Sequence, residues 1–121
     1  MARPRALLLE DDAALRDLLL EALASENIEV RVCESFAEMR SAAARAEADI
    51  VIADFWGGSQ RTLPPTERDE IRELCSYLPV IMLTARTWAS QTSAEELGAR
   101  ALVRKPFDLD DLLSTVETVV S

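Results

Sequence analysis

The sequence contains no histidine and only two cysteines in its 121 residues. Without histidine, these side chains cannot assemble a zinc site or a Ser-His-Asp triad. Cys33 lies in an apolar, strand-like segment, and Cys75 lies on the apolar stripe of a predicted helix. Both are therefore expected to be small buried hydrophobic residues with reduced thiols.

Long apolar segments and an excess of positive charge are also missing. The longest apolar runs are far too short to span a bilayer, and residues 1–5 lack the apolar region of a signal peptide. The net charge of −9 at pH 7 repels nucleic-acid phosphates and anionic lipid, although it can also serve only to keep the surface soluble. We therefore expect a cytoplasmic protein that contacts neither nucleic acid nor membrane directly.

The remaining composition is typical of one globular domain. Hydrophobic residues make up 49% of the chain and charged residues 29%, and the length is sufficient to bury a core. No internal repeat, linker or low-complexity segment divides the sequence. We therefore expect one domain over residues 1–121.

Short apolar segments alternate with helical patterns along the whole chain. Strands are predicted at residues 5–9, 28–33, 50–53, 80–83 and 101–103. Capping residues are predicted at the helix ends, namely Asp12, Ser35 with Glu38, Thr66, Gly98 and Asp108. The fourth helix, over residues 87–97, has few large apolar residues, so its pattern is weak. Five strands and five helices in strict alternation predict an α/β fold, with a parallel sheet covered by helices on both faces.

Polar side chains follow four of the five predicted strands. Glu10 and Asp11 follow the first strand, Asp54 the third, Thr84 the fourth and Lys105 the fifth. Because the carboxyl ends of parallel strands lie along one edge of a sheet, these side chains are expected to converge there. Each residue alone could be a helix cap or a solvated loop residue, but the joint placement predicts a functional site.

This set of side chains suits the transfer of a phosphoryl group to a carboxylate. A carboxylate can act as the nucleophile that forms an acyl phosphate, and it needs no general base because it is ionised at pH 7. Converging carboxylates repel one another, and a bound Mg²⁺ relieves that repulsion and offsets charge on the incoming phosphoryl group. Lys105 adds a positive charge for phosphate oxygens, and Thr84 adds a hydroxyl donor.

Four segments in this order resemble the receiver domain of two-component response regulators, over nearly the whole chain. They are ALLLEDDAAL at residues 6–15, DIVIAD at 49–54, PVIMLTA at 79–85 and VRKPF at 103–107. The resemblance implies a flavodoxin-like, doubly wound sheet of five parallel strands in the order 2-1-3-4-5, with five helices. It also implies a phosphorylation-activated switch that takes its phosphoryl group from a histidine kinase or a phosphotransfer protein.

The resemblance implies a role for each residue that would react or bind phosphate. Asp54 becomes the phosphoacceptor, Thr84 the switch hydroxyl and Lys105 the phosphate-binding lysine. In this family the peptide bond before the proline at position 106 is usually cis. Such a domain catalyses its own aspartyl phosphorylation and dephosphorylation, but it is mainly a regulatory signalling domain.

A bound metal and protein partners are also implied by the resemblance. Mg²⁺ or another divalent cation would be held by Asp11 directly, by Glu10 mainly through metal-bound water, by Asp54 and by the backbone carbonyl of Trp56. A downstream protein or effector domain would bind the surface formed by the fourth helix, the fifth strand and the fifth helix. The formation of a homodimer stays open.

Two departures from the family pattern keep an alternative open. The position three residues before the lysine is usually aromatic but here is Leu102, and residues 55–62 lack the usual Met-Pro after the phosphoacceptor. The alternative is a degenerate receiver, an interaction module that works without phosphorylation. A flavodoxin-like cofactor binder or a phosphatase is a weaker alternative, because the acidic residues 10–12 would repel a phosphate after the first strand.

Overall fold

Parallel strands form the centre of the molecule, and helices connect them. The computed structural model of the chain describes residues 3–54, 65–84 and 93–120. Within these ranges the elements are β1 (Arg5–Leu9), α1 (Ala13–Ser25), β2 (Glu29–Val32), α2 (Phe36–Ala44), β3 (Ile50–Asp54), α3 (Pro65–Tyr77), β4 (Val80–Thr84), α4 (Ala94–Leu97), β5 (Ala101–Arg104) and α5 (Leu109–Val120).

The strands form one sheet in the order β2-β1-β3-β4-β5, and every neighbouring pair is parallel. The predicted doubly wound, flavodoxin-like topology is therefore confirmed. The chain moves outward from β1 to β2 and then returns past β1 to β3, so the direction of winding reverses between β1 and β3. In folds of this kind a crevice opens beyond the carboxyl ends of the strands at such a reversal.

Side chains of alternate strand residues fill two separate cores, one on each face of the sheet. On one face, residues such as Leu7, Val51 and Met82 pack with side chains of α2, α3 and α4. On the other face, Leu8 and Ile52 pack with side chains of α1 and α5. The central strands are buried on both faces, which explains why their sequences are continuous apolar runs.

Two predicted helix starts are confirmed by side-chain caps. The Asp12 Oδ1 atom accepts a hydrogen bond of 3.1 Å from the backbone N–H of Leu15 at the start of α1. The Ser35 Oγ atom accepts one of 3.1 Å from the N–H of Glu38 at the start of α2. The Glu38 carboxylate in turn accepts from the N–H of Glu34, one residue earlier than in a standard capping box.

The start of α3 differs from the prediction. Thr66 was expected to cap this helix, but α3 already begins at Pro65, so Thr66 lies within its first turn. Proline is favoured at the first position of a helix, because its φ angle is fixed near the helical value and its missing N–H needs no partner there. The prediction of a Thr66 cap is therefore wrong.

The last two predicted caps are confirmed. Gly98 ends α4 in the left-handed conformation, with φ of +80°, and the Asp108 Oδ1 atom accepts a hydrogen bond of 2.8 Å from the N–H of Asp110 at the start of α5. Of the predicted helix over 87–97, the structure describes residues 93–97 and assigns α4 to four of them. The earlier part of that prediction lies outside the described residues.

The two cysteines are free thiols that pack as hydrophobic residues. Cys33 is buried, as predicted, whereas Cys75 is only half-buried on α3. Burial raises the pKa of both thiols, and that of Cys75 to about 11, so both are protonated near neutral pH. No helix in the described ranges has the length and apolar character needed to cross a bilayer.

Candidate functional site

The register of the sheet brings the first acidic residues together. Leu9, the last residue of β1, pairs with Ala53 of β3, so Glu10 and Asp54 follow at neighbouring positions on the same edge. Asp11 comes directly after Glu10 and is exposed. The prediction that acidic residues from different strands converge at the carboxyl edge is therefore confirmed by the positions of these side chains.

Lys105 joins the two acidic strand ends. Its Nζ atom lies 2.7 Å from Oε1 of Glu10 and 3.1 Å from Oδ2 of Asp54. The side chain of Glu10 is 0% exposed, that of Asp54 14% and that of Lys105 19%. Hydrogen bonds between charged groups at such distances are short and strong, and removal of water strengthens them further. Lys105 therefore directly contacts the carboxylate that was predicted to accept the phosphoryl group.

The buried Glu10 carboxylate is held from both sides. Lys105 contacts its Oε1 atom, and the backbone N–H of Asp12 donates a hydrogen bond of 3.2 Å to its Oε2 atom. Sequence reasoning assigned Asp12 only a capping role and missed this contact. The predicted cap at Asp12 could have indicated this hydrogen bond, because a helix cap at that position implies that the chain turns sharply after β1.

Burial has opposite effects on the two members of this ion pair. Burial raises the pKa of Glu10 above its usual value, although the hydrogen bonds from Lys105 and the Asp12 N–H act in the other direction. For Lys105, burial alone would lower the pKa, but hydrogen bonds to Glu10 and Asp54 outweigh it and raise the pKa. Lys105 therefore carries a positive charge at the site at neutral pH.

Three carboxylates lie close together at this edge of the sheet. Glu10, Asp11 and Asp54 each offer an oxygen, and the three oxygens all lie within 4.8 Å of one another. Among the residues that the structure describes, Lys105 is the cation that contacts this cluster, through Glu10 and Asp54. Carboxylate oxygens are the ligands that a hard divalent cation such as Mg²⁺ prefers, so the residues present fit the predicted metal.

Thr84 lies at the same edge, on the strand next to β3. It is the last residue of β4 and is 0% exposed. Its backbone carbonyl accepts a hydrogen bond of 2.8 Å from the N–H of Lys105, which ties the ends of β4 and β5 together. The Lys105–Pro106 peptide bond is cis, as the resemblance implied. Leu102 is half-buried and packs against the core on the α2, α3 and α4 face.

Not every predicted site residue can be placed. Trp56, whose backbone carbonyl was predicted to bind the metal, lies outside the described residues. The structure brings Glu10, Asp11, Asp54 and Lys105 together around one point and places Thr84 on the adjacent strand end. Carboxylates and a lysine at this edge of a doubly wound parallel sheet have the chemistry to bind a divalent cation and a phosphoryl group.

Comparison with known proteins identifies the family. The family model of the response regulator receiver domain matches residues 6–117. The chain therefore belongs to the receiver domain family of two-component response regulators. Nothing in the comparisons favours the degenerate alternative.

Related sequences include DNA-binding transcriptional regulators called NtrC. The chain is 32% identical over 111 residues to NtrC of Bradyrhizobium sp. (strain RP501 Parasponia), which covers 91% of the chain and 23% of that protein. It is 30% identical over 122 residues to NtrC of Escherichia coli (strain K12), which covers 100% of the chain and 26% of that protein. The chain thus spans about a quarter of the length of these relatives.

Solved structures of receiver domains superpose on almost the whole chain. The non-phosphorylated HemR receiver domain from Leptospira biflexa is 28% identical, with a TM-score of 0.73 over 98% of this chain and 95% of that one. A response regulator receiver protein from Burkholderia phymatum is 26% identical, with a TM-score of 0.72 and the same coverage. Chemotaxis response regulator CheY4 of Vibrio cholerae, at 23% identity and a TM-score of 0.70 over 97% of this chain and 98% of that one, shares the fold.

Proposed function

We propose that this receiver domain accepts a phosphoryl group on Asp54, with Mg²⁺ or another divalent cation bound at the carboxylates. The donor is a histidine kinase or a phosphotransfer protein. The observation that best supports this proposal is the position of Asp54, whose carboxylate is 3.1 Å from the Lys105 ammonium and within 4.8 Å of oxygens of Glu10 and Asp11. Lysine and metal together would counter the charge that gathers as a phosphate approaches a carboxylate.

Asp54 is the nucleophile in this proposal. An oxygen of its carboxylate forms a bond to phosphorus while the bond from phosphorus to the donor's nitrogen breaks, and the electron pair leaves with that nitrogen. A carboxylate nucleophile needs no general base, and the Asp54 side chain retains enough exposure, 14%, for a donor to reach it. Asp54 therefore combines reactivity with access.

Lys105 and the acidic pair have separate roles. Lys105 exchanges its contact with the Asp54 carboxylate for a contact with a phosphoryl oxygen, while Glu10 keeps the ammonium in place. Asp11 and Glu10, with Asp54 and the backbone carbonyl of Trp56, would hold the cation, which supplies positive charge to the phosphoryl oxygens when bound. Thr84 would donate its hydroxyl to the phosphoryl group.

The donor protein would dock on a groove beside the site. This groove, of about 430 Å³, lies between α1 and the start of α5 and is lined by Leu15, Leu18, Phe107 and Lys105 among others. Leu18 is 48% exposed, which is unusual for a large apolar side chain in this molecule. Because Lys105 lines the groove and also contacts Asp54, a donor seated there would lie next to the phosphoacceptor.

The output partner would bind the α4–β5–α5 surface, formed by α4, β5 and α5. Arg100 and Arg104 are exposed there together with Glu95 and Glu96, and this charged surface would steer a partner of complementary charge pattern. The related NtrC proteins are DNA-binding transcriptional regulators of about four times this length. We infer that this domain also regulates an output partner. It would do so through a protein contact rather than through its own contact with DNA.

Intact mass spectrometry after incubation with acetyl phosphate and Mg²⁺ tests the proposal. The wild-type protein should gain the mass of one phosphoryl group, Asp54→Asn should gain none, and EDTA should abolish the gain. Asp17→Asn is the matched control, because Asp17 is an exposed aspartate on α1, away from the site. Full phosphorylation of the Asp54→Asn protein would contradict the assignment, and the modified residue would then be located by peptide mapping.

A further inference from the structure

A single arginine links the two helices that cover one end of the sheet. Arg72 of α3 donates hydrogen bonds from Nε, at 3.1 Å, and from Nη2, at 2.8 Å, to the backbone carbonyl of Glu96 in α4. Carbonyls in the last turn of a helix have no partner within the helix, so this acceptor is available to a donor from outside. The guanidinium therefore donates two hydrogen bonds to the same carbonyl oxygen.

Within the described part of the chain, α4 is a short helix with few side-chain contacts of its own. The helix has four residues, and its own ties are the Ser93 Oγ cap, which accepts from the Glu96 N–H at 3.2 Å, and the left-handed Gly98 at its end. Leu97 is its one fully buried side chain. Because helices this short have little intrinsic stability, contacts from neighbouring elements decide where α4 lies. The Arg72 contact is one of them.

The chain order connects α4 to both groups that would sense the phosphoryl group. Thr84 precedes α4 in the sequence, and β5 follows it and leads to Lys105. In the structure the Lys105 ammonium contacts the Asp54 carboxylate directly, so a phosphoryl group on Asp54 would alter this contact. Because β5 joins α4 to Lys105, a movement of Lys105 toward a phosphoryl group would act on a helix that Arg72 contacts.

We propose that Arg72 sets the conformational balance of this receiver domain. It holds α4 against α3 in the unphosphorylated form, and the contact is broken when α4 rearranges in the active form. This inference rests on the proposed phosphorylation of Asp54. A ligand that favours the active form must overcome this restraint, so removal of the restraint makes such a ligand bind more tightly.

Titration with beryllofluoride at a fixed Mg²⁺ concentration, followed by fluorine NMR, measures this effect because beryllofluoride mimics the phosphoryl group. Arg72→Ala should bind it about fivefold more tightly than the wild type, the gain expected from losing the net stabilisation of a typical hydrogen-bonded contact. Arg72→Lys keeps the charge but not the fork and should show a smaller gain. Amide hydrogen exchange of residues 94–99 should become faster in unphosphorylated Arg72→Ala.

Arg45→Ala is the matched control. Arg45 is also exposed and hydrogen-bonded, at 3.0 Å to Glu47, but it lies at the end of α2. This variant should bind beryllofluoride like the wild type. If Arg72 only stabilised the fold, Arg72→Ala would bind beryllofluoride as tightly as the wild type or more weakly, and either result would overturn the inference. A wild-type protein that binds no beryllofluoride and gains no phosphoryl group would instead refute the proposed function, and the role of Arg72 with it.

Discussion

Replacement of Lys105 by methionine tests the charge balance of the site. The Nζ atom lies 2.7 Å from a Glu10 oxygen and 3.1 Å from an Asp54 oxygen. With an effective dielectric constant of about 20, these attractions amount to roughly 6 and 5 kcal/mol, and the cost of removing the charges from water offsets much of this. Breaking a fully buried pair costs about 3–5 kcal/mol. Because Asp54 and Lys105 retain some hydration, we expect Lys105→Met to lower the free energy of unfolding by about 2–4 kcal/mol.

Urea denaturation in EDTA and in Mg²⁺ measures this loss. A divalent cation at the carboxylates would replace part of the missing positive charge, so Mg²⁺ should stabilise Lys105→Met more than the wild type. Arg45→Met removes an exposed ion pair, Arg45 with Glu47 at 3.0 Å, and should change stability little. If Lys105→Met were as stable as the wild type in EDTA, Glu10 would not depend on the lysine and the reasoning would be wrong.

The pH dependence of this loss provides a second check. Burial lowers the pKa of Lys105, but its hydrogen bonds to Glu10 and Asp54 prevail and hold that pKa above 10.5. A cation whose pKa is raised by folding stabilises the protein fully below the unfolded pKa, and this contribution is lost as the pH rises through the folded pKa. The stability difference between wild type and Lys105→Met should therefore stay constant from pH 7 to about 10 and shrink only above that range. A difference that closes near pH 8 would contradict the ion pair.

Two further predictions concern partner binding. Leu18→Asp should slow phosphotransfer from the cognate donor protein at least about tenfold, the effect of losing roughly 1.4 kcal/mol of docking energy, while phosphorylation of Asp54 by acetyl phosphate stays unchanged. Tyr77→Asp, on the opposite side of the sheet, is the control, and equal transfer to both variants would exclude the groove. Charge reversal of Arg100 and Arg104 together should weaken binding of the output partner, measured by titration, without altering Asp54 phosphorylation. Unchanged affinity would remove the α4–β5–α5 surface as the contact.

The sequence patterns predicted a parallel sheet flanked by helices and the edge at which the polar side chains converge, and the resemblance to receiver domains supplied the strand order. Apolar, β-branched segments that end in acidic or hydroxyl residues predicted both the central strands and the placement of Asp54 and Thr84 at one edge. Lys105 was placed by the same rule. These predictions succeeded because strand direction is set by the alternation of strands and helices, and a parallel sheet then brings the strand ends together.

The contacts between side chains could not be predicted in the same way. The bond between Lys105 and Glu10 joins residues 95 positions apart and depends on side-chain conformation and burial, which local patterns do not encode. The Arg72 contact with the Glu96 carbonyl has no sequence signal, because its acceptor is a backbone atom. At the start of α3, both Pro65 and Thr66 are residues that favour a helix start. The prediction placed the cap at Thr66, whereas the helix begins at Pro65.

The alternation of side chains along β3 has a consequence for how this domain can evolve. Ile50 and Ile52 face one core, Val51 and Ala53 face the other, and Asp54 follows in register. Single substitutions within β3 change packing but leave the carboxylate in place. An insertion or deletion of one residue reverses every side chain beyond it, so the strand would mismatch both cores and the carboxylate would leave its lysine. Lineages of this protein should therefore vary in residue type at positions 50–53 of β3 while the length of the strand and Asp54 at its end stay constant.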